Sequence, residues 1–190
     1  MKTYLNLFAG HGGNTELLDR SLFEVTHVET DPKRIELLKE KFPGDKIIGA
    51  DAYQYLLDHV REFDIIWASP PCTTHSSIRW SNRNKPNFKN VYPDLKLYQV
   101  ILFLQRAHDL WIVENVVPYY DPLIKPKAKV GRHLVWASHM IKDQEFPTDN
   151  IIHIDKDLRD RMNPEIGLYL LSQVSKGITQ DNLENYIIGS

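Results

Sequence analysis

A single cysteine, Cys72, stands among 190 residues. That excludes a disulfide framework and fits a chain kept in a reducing compartment. No apolar run approaches the roughly 20 residues that span a bilayer. The start, Met1-Lys2-Thr3, leads straight into a strand-like segment with no signal-peptide pattern, so a cytoplasmic location is expected. Charge of one sign is also lacking. Lys and Arg total 23 against 25 Asp and Glu, a net charge of −2, so any surface for a polyanion must be local. There is no repeat, no low-complexity tract and no Gly-Lys-Ser/Thr phosphate loop.

What is present is a length suited to one domain with a real core. Short apolar runs read as strands at Tyr4 to Phe8, Val25 to Glu29, Lys46 to Gly49, Asp64 to Ala68, Trp111 to Glu114 and Leu134 to Ser138. Helical patterns lie between them, at Asn14 to Arg20, Pro32 to Phe42, Ala52 to Val60 and Leu95 to Asp109. Pro32 behind Asp31 suits a first helical turn, and Asp94 suits a cap. This alternation implies βαβ units and a mostly parallel, twisted α/β sheet with helices on both faces. Ligands of such sheets sit outside the carboxyl ends of the strands. Two long connections, Thr73 to Pro93 and Val116 to Gly131, start at such ends and exceed ordinary loop lengths. From about Lys142 the tail reads as helical, with starts at Asn163-Pro164-Glu165 and Thr179-Gln180-Asp181.

Five strand ends carry chemistry. The first strand runs into Phe8-Ala9-Gly10-His11-Gly12-Gly13, a turn whose glycines let the backbone approach a ligand; its spacing is not the dinucleotide fingerprint. Glu29 closes the second strand, where an acid accepts from ribose hydroxyls or serves as a capping or surface acid. Asp51 ends the third, facing an adenine amino group or capping the next helix. Together these three features describe a nucleoside-bearing cofactor. Cys72 follows the fourth strand in Pro70-Pro71-Cys72; it is a nucleophile or a buried structural thiol. Glu114-Asn115-Val116 closes the fifth. Glu114 is either an acid of raised pKa in an enclosed pocket or a carboxylate bonded to backbone amides.

This set, in this order, resembles the cytosine-5 DNA methyltransferase family over about the first 140 residues. The resemblance implies a Rossmann-like, S-adenosylmethionine-dependent catalytic domain. It implies that Phe8 packs on adenine, that Gly10 and Gly12 make room for the cofactor, that Glu29 holds the ribose and that Asp51 contacts the adenine amino group. Ala9, Gly13, Thr30, Ala52 and Pro71 complete the expected cofactor site. Cys72 is expected to attack cytosine C6, Glu114 to engage N3 and Asn115 to shape the loop around that acid. The chain departs from the family's pattern at Asn6, where Asp is usual, and at Thr73, where Gln is usual. Gly131-Arg132-His133 stands in for a Gln-x-Arg-x-Arg string, with Arg132 taken as the base-contacting residue and His133 as the alternative.

A large target-recognition domain is not expected: residues 1–140 read as cofactor and catalytic core and 141–190 as a helical tail of one catalytic domain. Such compact forms resemble restriction-modification-type enzymes of bacteriophages, which places the chain in a bacterial or phage-infected cytoplasm. The expected partner is DNA, with a homo-oligomer or a separate specificity subunit to aid recognition. The loop after Cys72 offers Arg79, Arg83, Lys85 and Lys89 beside Trp80 and Phe88; the second loop offers Lys125, Lys127 and Lys129. Cations for phosphates and aromatics for bases suit nucleic-acid binding, although such lysines also occur on ordinary solvated loops. Two other readings stay open: methylation of tRNA cytosine, and a non-catalytic module that binds cofactor or DNA.

Overall fold

The computed structural model describes residues 1–142, 144, 146 and 161–175. Seven strands form one sheet: β1 (Lys2–Leu7), β2 (Phe23–Glu29), β3 (Lys46–Gly49), β4 (Ile65–Ala68), β5 (Trp111–Val116), β6 (Ala128–Val130) and β7 (His133–Ala137). Their order is β3-β2-β1-β4-β5-β7-β6. β1 to β5 pair in parallel, and β7 runs antiparallel to both β5 and β6. The order reverses between β1 and β4, which opens a crevice beyond their carboxyl ends. The turn after β1 and the Cys72 loop both start there.

Five α-helices are present among the described residues: α1 (Pro32–Lys41), α2 (Ala52–His59), α3 (Ser77–Ser81), α4 (Lys96–Ala107) and α5 (Pro164–Val174). Central strands are apolar on both faces, as a parallel sheet covered on both sides requires. Tyr4, Ile65, Trp67 and Ile112 pack in one core with Ile166, Leu170 and Val174 of α5. Their neighbours Leu5, Leu7, Ile66, Ala68 and Val113 pack in the other, with Leu56 of α2 and Ile101 and Leu104 of α4. Caps set the helix starts. Asp31 accepts from the amides of Lys33 and Arg34, Asp51 from Gln54, and Asn163 from Glu165. Asp94 accepts from the Lys96 amide at 3.0 Å.

The expected helix at Asn14 to Arg20 does not form. A single 3₁₀ turn, Gly13–Thr15, takes its place. Its polar side chains are spent on other partners, the competition that keeps such residues out of helix interiors. Asn14 pairs with Asn6, Thr15 Oγ1 donates to the Gly12 carbonyl, and Arg20 donates to the carbonyls of Thr15 and Leu18. α5 lies against this turn: a Cβ on Gly167 would stand 2.6 Å from Asn14 Cα and O. Two further differences are small elements inside the long loops, α3 in the first and β6 in the second. The expected helix start at Thr179-Gln180-Asp181 lies outside the described residues.

Candidate active site

The turn after β1 is tight and left-handed. Phe8, Gly10 and Gly12 have φ of 57°, 55° and 65°. For glycine this is free; for Phe8 it is a strained conformation of the kind that gathers at ligand sites. The Phe8 ring is half-buried and meets Tyr53 edge-on at 4.7 Å. Ala9, Gly12 and Gly13 are buried, and a Cβ at Gly10 would meet nothing nearer than 3.9 Å. Gly12 is filled from within the protein, since a Cβ there would stand 2.5 Å from the Phe42 ring.

Glu29 is buried and aimed back at this turn. Its Oε2 accepts from the Gly10 amide at 2.8 Å, and Oε1 accepts from Thr30 N at 2.8 Å and Asp31 N at 3.0 Å. It is therefore neither a surface acid nor a simple cap. It ties the end of β2 to the glycine turn. Asp51 is exposed at the end of β3 and caps α2 through one oxygen, with Ala52 buried behind it. Thr30 is exposed beside Glu29.

Cys72 is partly accessible on the loop after β4, between exposed Pro71 and Thr73. Its carbonyl accepts from the amides of His75 and Ser76, closing a turn around it. Buried Asn115, from the end of β5, donates to the Pro70 carbonyl at 2.8 Å and pins this loop to the neighbouring strand. Because β7 is antiparallel to β5, the first residue of β7 lies at the carboxyl end of β5. Val116 faces His133 directly, which leaves Glu114 one diagonal step away on the same face. His133 Nδ1 lies 2.6 Å from Glu114 Oε2, and both residues are buried. Burial pushes the Glu114 carboxyl up, but the charge and hydrogen bond of His133, a hydrogen bond from Ser69 and the charge of Arg132 overcome it and hold Glu114 below its ordinary value. The expectation of a raised-pKa acid is thus corrected: Glu114 is held ionised by its partners. Arg132 is exposed at the rim and acts on Glu114 by its charge, whereas His133 makes the direct contact.

The two long loops are joined. Ser76 bridges to Pro118, and Tyr119 N donates to the His75 carbonyl at 3.0 Å. Trp80 stacks on Tyr119 at 4.8 Å and 10°. His75 Nδ1 lies 2.5 Å from the Tyr120 hydroxyl, which also accepts from the Tyr98 hydroxyl of α4 at 3.3 Å. Arg83 lies over Trp80, and Arg79 over Phe88 while donating to the Lys89 carbonyl. Lys85 and Lys89 are exposed. The second set of cations is dispersed. Lys129 pairs with Leu134 near the carboxyl end of β5, whereas Lys127 lines a cleft with Trp111 and Ser138 at its amino end. No sequence pattern marks Tyr53, Ser69 or the Trp80–Tyr119 stack, since each becomes part of the site only through strand pairing or loop contact.

A mostly parallel sheet with this switch point, a glycine turn answered by a strand-end acid, and a thiol on the adjacent loop define a Rossmann-like α/β enzyme fold for a nucleoside-bearing cofactor. The chain belongs to the C-5 cytosine-specific DNA methylase family, whose family model matches residues 2–116. S-adenosylmethionine is the cofactor. Similar solved structures include a mutant of DNMT2 from Spodoptera frugiperda, 19% identical over 61% of this chain and 36% of that one, with a TM-score of 0.42. A putative DNA modification methyltransferase encoded within an Escherichia coli prophage is 20% identical over 64% of this chain and 34% of its own, with a TM-score of 0.42. A SAM-dependent methyltransferase from Agrobacterium tumefaciens is 19% identical over 63% and 40%, with a TM-score of 0.43. The chain thus spans less than half the length of each of the three. No curated protein matches it. Among the described residues no helix is long and apolar enough to cross a membrane, and no cluster of ligands could hold a metal.

Proposed function

We propose that the chain transfers a methyl group from S-adenosylmethionine to C5 of cytosine in DNA, through a covalent bond between Cys72 and C6. The observation that carries this reading is the accessible Cys72 thiol on a loop that Asn115 fastens to the strand bearing the Glu114–His133 pair.

The turn after β1 fits the cofactor. Gly10 leaves open space, Phe8 offers a ring backed by Tyr53, and Glu29 Oε2 accepts one protein N–H, which leaves a lone pair for a ribose hydroxyl. Asp51 keeps an exposed oxygen for an adenine amino group, with Thr30, Ala52 and Pro71 around the cofactor's edges. When bound, the cofactor supplies an electrophilic methyl group.

Cytosine C5 is a weak nucleophile, and the residues of this chain change that. The Cys72 thiolate forms an S–C6 bond, and the C5=C6 electron pair is released toward C5 while N3 gains electron density. N3 then needs a proton, which a lone carboxylate cannot give. An imidazolium His133, whose Nδ1 lies 2.6 Å from Glu114 Oε2, can pass its extra proton through Glu114 to N3 and be left neutral, while Glu114 orients the base. Once C5 is methylated, its hydrogen leaves as a proton to a base. The S–C6 electrons return to sulfur, C5=C6 re-forms, and N3 gives its proton back. A duplex base must leave the stack for this, at a cost of a few kcal/mol. Arg79, Arg83, Lys85, Lys89 and Lys129 supply phosphate contacts around the loops, with Lys127 further away.

The test is methyl transfer from labelled cofactor to duplex DNA, single-stranded DNA and tRNA, with nucleoside analysis. The expected product is 5-methylcytosine in DNA, abolished in Cys72→Ser. DNA carrying 5-fluorocytosine, whose C5 substituent cannot leave as a proton, should trap wild type covalently and leave Cys72→Ser free. Product only in tRNA, or an active Ser variant, overturns the assignment.

A further inference from the structure

The turn after β1 is held from beneath by a row of buried polar side chains. Asn6 in β1 and Asn14, just past Gly13, exchange two hydrogen bonds: Asn14 Nδ2 donates to Asn6 Oδ1 at 2.9 Å, and Asn6 Nδ2 donates to Asn14 Oδ1 at 3.2 Å. The pair closes the base of segment 7–13. Asn6 Nδ2 also lies 3.0 Å from His27 Nδ1, and His27 Nε2 lies 3.0 Å from Asp45 Oδ2. Arg20 grips both oxygens of Asp45 at 3.1 and 2.7 Å, while its other nitrogen donates to the carbonyls of Thr15 and Leu18. Asn6, Asn14 and His27 are 1%, 5% and 0% exposed. The row runs from β1 through β2 to the start of β3 and back to the far end of the turn.

Counting donors and acceptors fixes where the ring hydrogen sits. An amide nitrogen has two N–H groups and accepts nothing, so His27 Nδ1 must accept. Burial pushes the Asp45 carboxyl up, but the hydrogen bonds of His27 and Arg20 and the charge of Arg20 outweigh this and keep it ionised. It can only accept, so Nε2 carries the hydrogen. Rotating both amides together would preserve their pair but turn Asn6 Oδ1 toward Nδ1, which then requires a doubly protonated ring. Burial opposes that most, Asp45 favours it, and the charges of Arg20 and Lys41 oppose it. Phe42, stacked on the ring at 5.2 Å, brings no charge.

We propose that Asn6, His27 and Asp45 are positioning residues that hold the cofactor-receiving turn through the Asn6–Asn14 amide pair, with His27 fixed as its neutral Nε2–H tautomer; this rests on the reading of that turn as the cofactor site. A proton on Nδ1 sets N–H against N–H and breaks the row at Asn6. An aspartate in place of Asn6 would instead accept from Nδ1 and draw in a charged ring, so Asn6 and the neutral tautomer belong together.

Two measurements on the cofactor-free chain test the row, and one on the loaded chain tests its consequence. Two-bond ¹⁵N–¹H spectra of the imidazoles should show His27 as a neutral Nε2–H ring throughout the range where ordinary histidines titrate, around pH 6.5. Asn6→Asp should convert it to the charged ring near neutrality. In Asn14→Ala, which removes one partner of the pair without adding a charge, amide exchange at Gly10, Gly12 and Gly13 should quicken while the β4 and β5 amides keep their protection. The dissociation constant for S-adenosylmethionine should rise about three- to tenfold, the equivalent of one hydrogen bond of the turn, and should appear in KM with kcat kept. A charged or Nδ1–H ring in the wild type overturns the proposal, as does a folded Asn14→Ala chain whose turn amides exchange as before. Quickened exchange with unchanged cofactor affinity overturns the link to the cofactor and leaves the methylation reading to its own assay.

Discussion

Replacing His133 by Ala tests the electrostatics of the site most directly. Both members of the Glu114–His133 pair are 8% exposed, so the change leaves a buried carboxylate without its main partner. Breaking a buried pair in this way costs about 3–5 kcal/mol; the lower end, about 3 kcal/mol, applies because Ser69 and Arg132 remain. For a domain of this size that corresponds to a fall in Tm of roughly 6–12 °C at neutral pH. The pH dependence has a definite sign. In the wild type the folded-state pKa of Glu114 lies below the unfolded value of about 4.3, so the pair's stabilisation is complete above that value and is lost as pH falls through the folded value. Without His133, burial dominates and lifts the folded pKa above about 4.3. The variant's penalty then grows as pH rises through that window. The two proteins should therefore differ most at pH 7–8 and converge only as pH falls through the lowered folded-state value of Glu114. Thermal denaturation of both across that range reads this out. In a Glu114→Gln background the same His133→Ala change should cost under about 1 kcal/mol, since no charge is left stranded. A stability difference that is flat with pH, or equal in the two backgrounds, would refute the pairing and with it the proton source assigned to N3.

Two further changes probe the cofactor turn from opposite sides. Glu29→Gln should weaken S-adenosylmethionine binding by about tenfold or more in calorimetry, because charge-assisted bonds to the turn and to the ribose are replaced by neutral ones; unchanged affinity would remove Glu29 from the cofactor site. Gly167→Ala should lower Tm by a few degrees despite a gain in helix propensity of about 1 kcal/mol, since the new Cβ meets the Asn14 backbone at 2.6 Å and such overpacking costs about 1–3 kcal/mol. A higher Tm would mean that α5 does not seat on the 3₁₀ turn.

Strand-end residues were legible in the sequence because a parallel sheet puts them all on one rim. Glu29, Asp51, Cys72 and Glu114 each close or follow an apolar run, and the order of those runs was enough to collect them. The strand at 46–49 has the bounds that the sequence predicts, and that at 65–68 differs from them by one residue. What stayed hidden depends on contacts between distant segments. Periodicity over 14–20 suggested a helix, yet the local polar side chains found tertiary partners and α5, more than 140 residues later, covers the turn. Glu114's ionisation is hidden from the sequence for the same reason. A lone acid in a pocket is expected to bind its proton tightly, but the antiparallel return of β7 delivers His133 to it. The choice between Arg132 and His133 was ambiguous in sequence because it turns on which of two consecutive residues starts the strand.

If the chain acts on a polynucleotide as proposed, the geometry of the sheet's antiparallel edge also decides which cations can serve it. Along β6 the side chains alternate, with Ala128 and Val130 buried and Lys129 exposed, and exposed Lys127 immediately precedes the strand. Charges on a short edge strand discourage pairing with another chain, so part of this lysine pattern belongs to the fold itself. Position then separates the two. Val130 and Lys129 pair with His133 and Leu134, which face Val116 and Asn115 at the catalytic end of β5. Lys127 lies two residues further back, roughly 7 Å along the strand. Arg132, at the turn into β7, reaches the rim. The first loop is built differently: Arg79 and Arg83 lie over aromatic rings, and Trp80 is braced by Tyr119 from the second loop. A guanidinium held over a ring loses less freedom on meeting a phosphate or base than a lysine on an edge strand. The first loop and the Arg132 corner are therefore the places where a polynucleotide can be held close to Cys72, while Lys127 adds only to the longer-range field.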